Sequence, residues 1–413
     1  MTLVAGAERL HSDLAELATY SEGGPGTSRR LFSDAYRDSR DWVRETMRES
    51  GLVVRADAAG NLVGVLEGND PRAGTLMMGS HTDTVDGGGN YDGVVGVLGA
   101  IEVVRQFREE GRRLAHDVVV VDFLGEESND YGLTCLGSRS FVGDLTASDL
   151  ARVDTAGRTL GQRCADSGLD PHGLLAAGRQ FQRPRAYVEL HIEQGPVLEE
   201  RGADIGVVTG IVGIQRLLAT FIGQADHAGT TPMDRRRDAL VAAASAVLAV
   251  RQTGCDAGGQ GVATASDISG YSSGPNVVPR TARLQAEMRS IEPVWLSAAE
   301  RRLTQEIQHM AESYGVEVDL EWIADNEPRP MDGTIQRRIS TAAEALGLRW
   351  EAIPSGATHD AVHLARVCPT AMVFVPSIGG RSHCPEENTT IEDFVHGVGV
   401  LKETLTDLDS TRA

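Results

Sequence analysis

Hydrophobic positions along this chain fall into two regimes. Up to about residue 207, short runs that are nearly continuous in apolar and β-branched residues alternate with longer helical stretches. "TLMMGSH" (75–81), "HDVVVVDF" (116–123) and "AYVELHI" (186–192) are such runs, and Val94 to Phe107 is helical between the first two. Strands that lack apolar–polar alternation are covered on both faces, as in the centre of a parallel sheet flanked by helices. From 208 to 325 the pattern changes to strand ("IQRLLATFIGQ"), helix (Arg235 to Arg251), strand ("GQGVATASDI"), strand ("ARLQAEMRSI"), helix (Trp295 to Tyr314) and strand ("VEVDLEWI"). That β-α-β-β-α-β order is the signature of a ferredoxin-like unit. The first regime then resumes, with a helical "TIQRRISTAAEALGL", a core strand "TAMVFVP" (370–376) and a closing helix from Ile391 to Leu408. The pattern predicts an α/β domain with a mainly parallel sheet, split into 1–207 and 326–413, around an inserted α+β domain at 208–325.

Bulk properties agree with this division. A chain of 413 residues is too long for one ordinary core, so two domains are expected. With 41% hydrophobic and 24% charged residues it reads as globular, and no apolar run approaches the roughly 18 residues that span a bilayer. The N-terminal "MTLVAGAERLHSDLAELA" reads as an amphipathic helix, not a signal peptide. A net charge of −20 argues against nucleic acid and anionic membranes as partners. Five scattered cysteines (135, 164, 255, 368 and 384) have no CxxC spacing. They argue against a disulfide framework or a thiolate zinc site, and for a cytoplasmic location.

Four core strands lead into polar groups. "TLMMGSH" ends in His81, "VVVVDFLGEE" in Glu126 and Glu127, "AYVELHIEQ" in His191, Glu193 and Gln194, and "AMVFVPSIGGRSH" in His383. Ligands of open α/β sheets bind at the carboxyl ends of the strands, so these clusters can converge on one crevice. Asp92 joins them from the helix start after "GSHTDTVDGGGNYDG". That glycine-rich loop satisfies neither GxGxxG nor GxxxxGK[ST], which sets aside a phosphate cradle. Imidazole and carboxylate without thiolate suit Zn, Mn, Co or Ni. Three His and two or three carboxylates exceed one tetrahedral catalytic site, and two ions sharing a bridging carboxylate fit them. A Glu beside such a site is the natural general base.

These residues resemble the M20 metallopeptidase clan and, within it, the hydantoinase/carbamoylase amidase family. The resemblance covers nearly the whole chain. It rests on "GSHTDTVDGGGNYDGVVGV", "FLGEESNDYGLTCLGS", "YVELHIEQGPVLE", "ADHAGTTPMDRRRDA", "GPNVVPRTARLQAEMRS", "PSGATHDA" and "GGRSHCPEE", of which "HIEQGPVLE" is the most specific to the amidase branch. It implies a two-metal catalytic domain with an inserted lid and dimerisation domain. His81, Asp92 and His191 would surround one ion, and Asp92, Glu127 and His383 the other, with Asp92 bridging. Asp83 would orient His81, and Glu126 would be the general base. Gln194 would be a polar substrate contact. His227, supplied by the partner subunit of a homodimer, would stabilise the oxyanion. Asn276 and Arg289 would bind a substrate carboxylate, the guanidinium bidentately, and Gly356 would lie in the loop closing the pocket.

Two departures bear on substrate identity. Thr358 stands in "SGATHDA" where the family commonly has glycine, and Arg381 and Cys384 flank His383 where an apolar residue and a polar amide are more usual. The resemblance implies an amidohydrolase that converts a small N-carbamoyl-L-amino acid into the amino acid, CO2 and ammonia. Allantoate or a related ureido acid is the second choice of substrate, and another N-acyl amino acid the third.

Overall fold

The computed structural model describes residues 2–180 and 184–410. The chain divides into two compact units, Met1–Thr209 with Met331–Ala413, and Gly210–Pro330. Ahead of the insert come β1 (Val53–Ala56), β2 (Leu62–Leu66), β3 (Thr75–His81), β4 (Asp117–Phe123), β5 (Ala186–Ile192) and β6 (Ile205–Ile211), which runs across the junction. The insert carries β7 (Gly213–Ile222), β8 (Val262–Tyr271), β9 (Thr281–Ser290), β10 (Glu317–Asn326) and the short β11 (Arg329–Pro330). β12 (Trp350–Ser355) and β13 (Thr370–Val375) follow it.

The large sheet has the order β1-β2-β4-β3-β5-β13-β6-β11, with β12 paired to β6. Its centre, β4-β3-β5-β13, is parallel. The flanks are antiparallel, through β1–β2, β2–β4 and β13–β6. Every residue of β5 and β13 is buried, as their unbroken apolar character requires. Because the four central strands run the same way, their carboxyl ends share one edge. Register sharpens this: His81 lies opposite Phe123, and His191 opposite Phe374. Glu126 and Glu127 follow just beyond Phe123.

The helix Val94–Glu109 packs on this sheet and is buried along nearly its whole first half. Sequence patterning misses a second helix, Asp34–Glu49. Its sequence, "DAYRDSRDWVRETMRE", is dominated by charge, and its buried stripe of Tyr36, Ser39, Arg40, Val43 and Met47 includes polar residues. The local signal is instead Ser33, whose hydroxyl accepts the Tyr36 N–H as an N-cap. No helix among the described residues is long and apolar enough to cross a membrane.

The insert forms an antiparallel sheet, β10-β7-β9-β8, with the helices Ala239–Cys255 and Pro293–Ser313. Leu217, Phe221, Ala246, Leu284, Leu303 and Ile307 are among the residues of its core. The first of these helices begins at Ala239 rather than Arg235. Asp238 Oδ1 caps the N–H groups of Leu240 and Val241, and Met233–Arg235 is a separate 3-10 turn after Pro232.

Gly79 shows how tightly the sheet constrains the segment that delivers His81. Its φ is +144°, and a Cβ there would lie 2.0 Å from the carbonyl oxygen of Val121 on β4. Gly79→Ala is expected to cost about 3 kcal/mol or more, because backbone and not a flexible side chain must yield. Urea denaturation checks this, and an unchanged midpoint would contradict it.

Candidate metal centre

The carboxyl edge of the large sheet gathers the imidazoles and carboxylates around Asp92. His81 ends β3, and its Nδ1 is 3.1 Å from the backbone oxygen of Asp83. His191, on β5, has Nδ1 2.9 Å from the oxygen of Ile192. Each ring therefore donates from Nδ1 to a carbonyl, which fixes its orientation and turns Nε2 toward Asp92. Those Nε2 atoms face one oxygen of Asp92, at 3.6 Å for His81 and 3.2 Å for His191. His383 Nε2 is 3.1 Å from the other oxygen and 3.5 Å from Glu127 Oε1. Two groups of donors thus share one carboxylate: His81, Asp92 and His191, and Asp92, Glu127 and His383. Fixed ring orientations, nitrogen and oxygen donors and a shared carboxylate fit divalent transition ions.

The glycine loop earns its composition at two points. Gly93 has φ +67°, and a Cβ there would lie 2.4 Å from the His81 ring. A Cβ on Gly89 would lie 2.1 Å from Glu387 Oε1. Glu387 itself is absent from the sequence reading, yet its buried carboxylate ties two ligand loops together. Oε1 accepts the N–H groups of Tyr91 (2.9 Å) and Asp92 (3.0 Å). Oε2 accepts from the Ser382 hydroxyl (2.7 Å) and the His383 N–H (3.3 Å). The only trace of this in the sequence is a second Glu four residues after His383.

Asp83 also does more than its sequence context suggests. Its carboxylate sits 3.6 Å from His81 Nδ1, but its hydrogen bonds go to the N–H groups of Glu126 (3.1 Å) and Glu127 (3.0 Å). The imidazole is held by its backbone oxygen. One residue therefore sets the spacing between the β3 and β4 ends.

Burial drives the electrostatics. It opposes ionisation of Asp92, but hydrogen bonds with His191, His383 and His81 outweigh it and hold that carboxyl well below the usual range. Burial pushes Glu126 well above the usual range, against the pull of His81 and with the help of Asp360 and Glu127. Glu126 Oε2 lies 3.6 Å from His81 Nε2, and Oε1 accepts the Cys135 thiol at 3.3 Å. Burial and then Asp92 raise Glu127 to about 7.

The remaining sequence candidates divide between the two units. Gln194, with φ +59°, donates its amide to Asp92 Oδ2 at 2.5 Å. Gly356 is exposed and Thr358 half-buried, in the loop after β12. The same loop carries His359, also missed, whose buried ring packs edge-on 4.4 Å from that of His191. In the insert, His227 is exposed, and its Nδ1 accepts the N–H groups of Gly229 (3.0 Å) and Thr230 (3.2 Å). It bridges to Val277, beside Asn276, whose backbone oxygen accepts the Ala228 N–H. Arg289 pairs with Glu287 at 2.8 Å. The sequence reading joins Asn276 and Arg289 in one carboxylate site, but the register parts them. Thr281 faces Tyr271 at one end of β9 and Arg289 faces Val262 at the other. Asn276 precedes Thr281, and the eight steps from Thr281 to Arg289 span about 26 Å. Within one chain they cannot hold the same small carboxylate.

Residues 76–407 match the sequence profile of peptidase family M20/M25/M40. The chain belongs to that family. It is 38% identical over 411 residues to an N-carbamoyl-L-amino acid amidohydrolase from Geobacillus stearothermophilus, covering 97% of this chain and 98% of the relative. It is 32% identical to the allantoate amidohydrolase of Escherichia coli, over 91% of each. A crystal structure of a hydantoinase/carbamoylase family amidase from Burkholderia multivorans superposes with a TM-score of 0.89 at 33% identity, over 98% of both chains. The activity class of this M20 member is that of an amidohydrolase, acting on C–N bonds.

Two expectations follow from the site. Glu387→Ala is expected to weaken divalent-ion binding by about 10–100-fold, the usual effect of removing a group that orients ligands; calorimetry on chelated protein reads this. The second concerns pH. Burial raises Glu127 from 4.5 to about 7, and the hydrogen bond to Asp92 raises His383 from 6.5 to about 9. Both bind protons more tightly folded than unfolded, so their stabilisation is complete below their ordinary values and is lost as pH rises through the folded ones. Chelated protein is expected to melt at falling temperature from about pH 5 to about pH 9, with saturating divalent ion flattening the slope. A melting temperature that rises with pH after chelation contradicts this.

Proposed function

We propose that the chain hydrolyses an N-carbamoyl-L-amino acid to the amino acid, CO2 and ammonia, with two divalent ions held by His81, Asp92, Glu127, His191 and His383. The observation that carries this reading is Asp92, which shares its two oxygens between two donor groups beside the buried carboxyl of Glu126. Ions bound there supply Lewis acidity toward the scissile carbonyl and acidify a water. The choice among Zn, Mn, Co and Ni follows availability. Relatives that act on allantoate or ureidoglycolate favour a ureido acid as the second reading.

The protein groups divide the remaining work. Cys135 occupies Glu126 Oε1, which leaves Oε2 to take a proton from water and pass it to the leaving nitrogen. The raised affinity of Glu126 for a proton suits a group that must hold it between those two events. His227 accepts two N–H groups on Nδ1, so its proton sits on Nε2. A neutral imidazole fixed as an Nε2–H donor suits an oxyanion contact. Arg289 binds the substrate carboxylate, Gln194 and Asn276 add polar contacts, and Gly356 and Thr358 shape the pocket wall.

The insert also serves as a lid and homodimer surface. β8 is an edge strand with Val262 59% and Tyr271 57% exposed, and the adjoining helix exposes Leu248 at 67%. Apolar side chains beside an unpaired strand edge favour self-association. The ends of β9 support sharing across that dimer: one chain supplies His227 and Asn276, the other Arg289. Five unpaired cysteines suit the cytoplasm.

Glu126→Gln is expected to lower turnover by about 10²–10⁴-fold, with ion content unchanged. Turnover close to that of the unaltered protein would remove Glu126 from the mechanism. Glu126→Gln and His227→Ala chains, each inactive alone, are expected to recover on the order of a quarter of full activity when mixed, the share of intact sites from random symmetric pairing. No recovery in verified mixed dimers would place His227 in its own chain's site. A panel of N-carbamoyl, N-formyl and N-acetyl amino acids with allantoate ranks the substrates.

A further inference from the structure

Gln194 is placed by constraints that a substrate contact alone does not call for. Its backbone is in the left-handed region at φ +59°, which is costly for a residue with a Cβ. Its N–H donates to the Ser377 hydroxyl at 3.0 Å, which pins the start of the side chain. The amide nitrogen then meets Asp92 Oδ2 at 2.5 Å and lies 3.4 Å from His383 Nε2. These two atoms belong to the second donor group, and they are 3.1 Å apart. The other end of the amide, Oε1, is buried and has no hydrogen-bond partner. A buried amide oxygen with no partner carries a desolvation cost of about 1–3 kcal/mol, which a ligand role would remove.

An amide N–H against Asp92 Oδ2 is a neutral donor where a cation would take the same lone pair. It cannot keep that bond while that lone pair binds an ion. Exchanging the two ends of the amide replaces the nitrogen by the unpartnered oxygen and leaves the rest of the side chain in place. A carbonyl-type oxygen is a hard donor that suits Mn²⁺ among the ions this site can take.

We propose that Gln194 is a reserve ligand of the second ion, formed by Asp92, Glu127 and His383. Its amide nitrogen stands against their donors in the ion-free protein, and its oxygen joins them when the ion binds. The inference rests on the two-ion reading above, and its test separates the two. Chelated protein is titrated with MnCl2 by calorimetry, as the unaltered chain, Gln194→Met and Gln194→Glu, with circular dichroism to verify folding. Methionine keeps the length and apolar stem but offers only a thioether, a poor donor for a hard ion. The unaltered chain is expected to bind two ions. Gln194→Met is expected to keep the first and to bind the second at least tenfold more weakly. Gln194→Glu, which retains an oxygen, is expected to restore the second site. Second-site affinity that is unchanged or stronger in Gln194→Met overturns the reserve-ligand role and leaves the two-ion reading standing. Absence of Mn²⁺ binding by all three folded proteins overturns the two-ion reading itself.

Discussion

The arrangement at the sheet edge depends on one carboxylate held where burial alone would neutralise it. Asp92 is buried, and its ionised form is sustained by imidazoles on both sides, His81 and His191 against one oxygen and His383 against the other. That balance is only as good as the backbone that aims it. Gly93 lets the chain pass beneath the His81 ring, and Glu387 fixes the N–H of Asp92 and of His383 through the two oxygens of one side chain. Take away either support and the shared carboxylate loses its direction before any ligand is removed.

The parallel centre of the sheet is the coarse version of the same constraint. Strands that run together must end together, so His81, the Glu126–Glu127 pair and His191 arrive at one edge through topology, and Asp83 trims the spacing between the first two by binding the N–H groups of both Glu residues. Burial then sorts three neighbouring carboxyls by role. Asp92 is kept charged by its imidazoles. Glu126 and Glu127 lie where the proton is held more tightly.

His81, the Glu126–Glu127 pair and His191 stood out in the sequence because each ends, lies on or closely follows an unbroken apolar strand, where a charged or imidazole side chain has no packing reason to be. The supporting residues did not. Glu387 sits in a polar loop in which a second Glu carries no local signal, and its importance comes from reaching Tyr91 and Asp92 nearly 300 residues earlier. His359 looks like one more loop histidine until β12 and its following loop bring it against His191. The helix Asp34–Glu49 was hidden because its buried stripe includes Arg40, which is neutralised by Asp122 on β4, and charge of that kind masks an amphipathic pattern. Asn276 and Arg289 lie thirteen positions apart and read naturally as a pair, but strand geometry turns those thirteen positions into distance, not contact.

That geometry makes β9 a ruler. A strand cannot be shortened by a rotamer change, so the length between its ends sets which groups can meet within one molecule and which only between two. With His227 and Asn276 serving the partner's site, as proposed, the rate would depend on assembly: below the concentration at which two chains pair, dilution would remove active sites and not merely molecules. A change in pairing, with no change at the sheet edge, would then govern whether chemistry occurs.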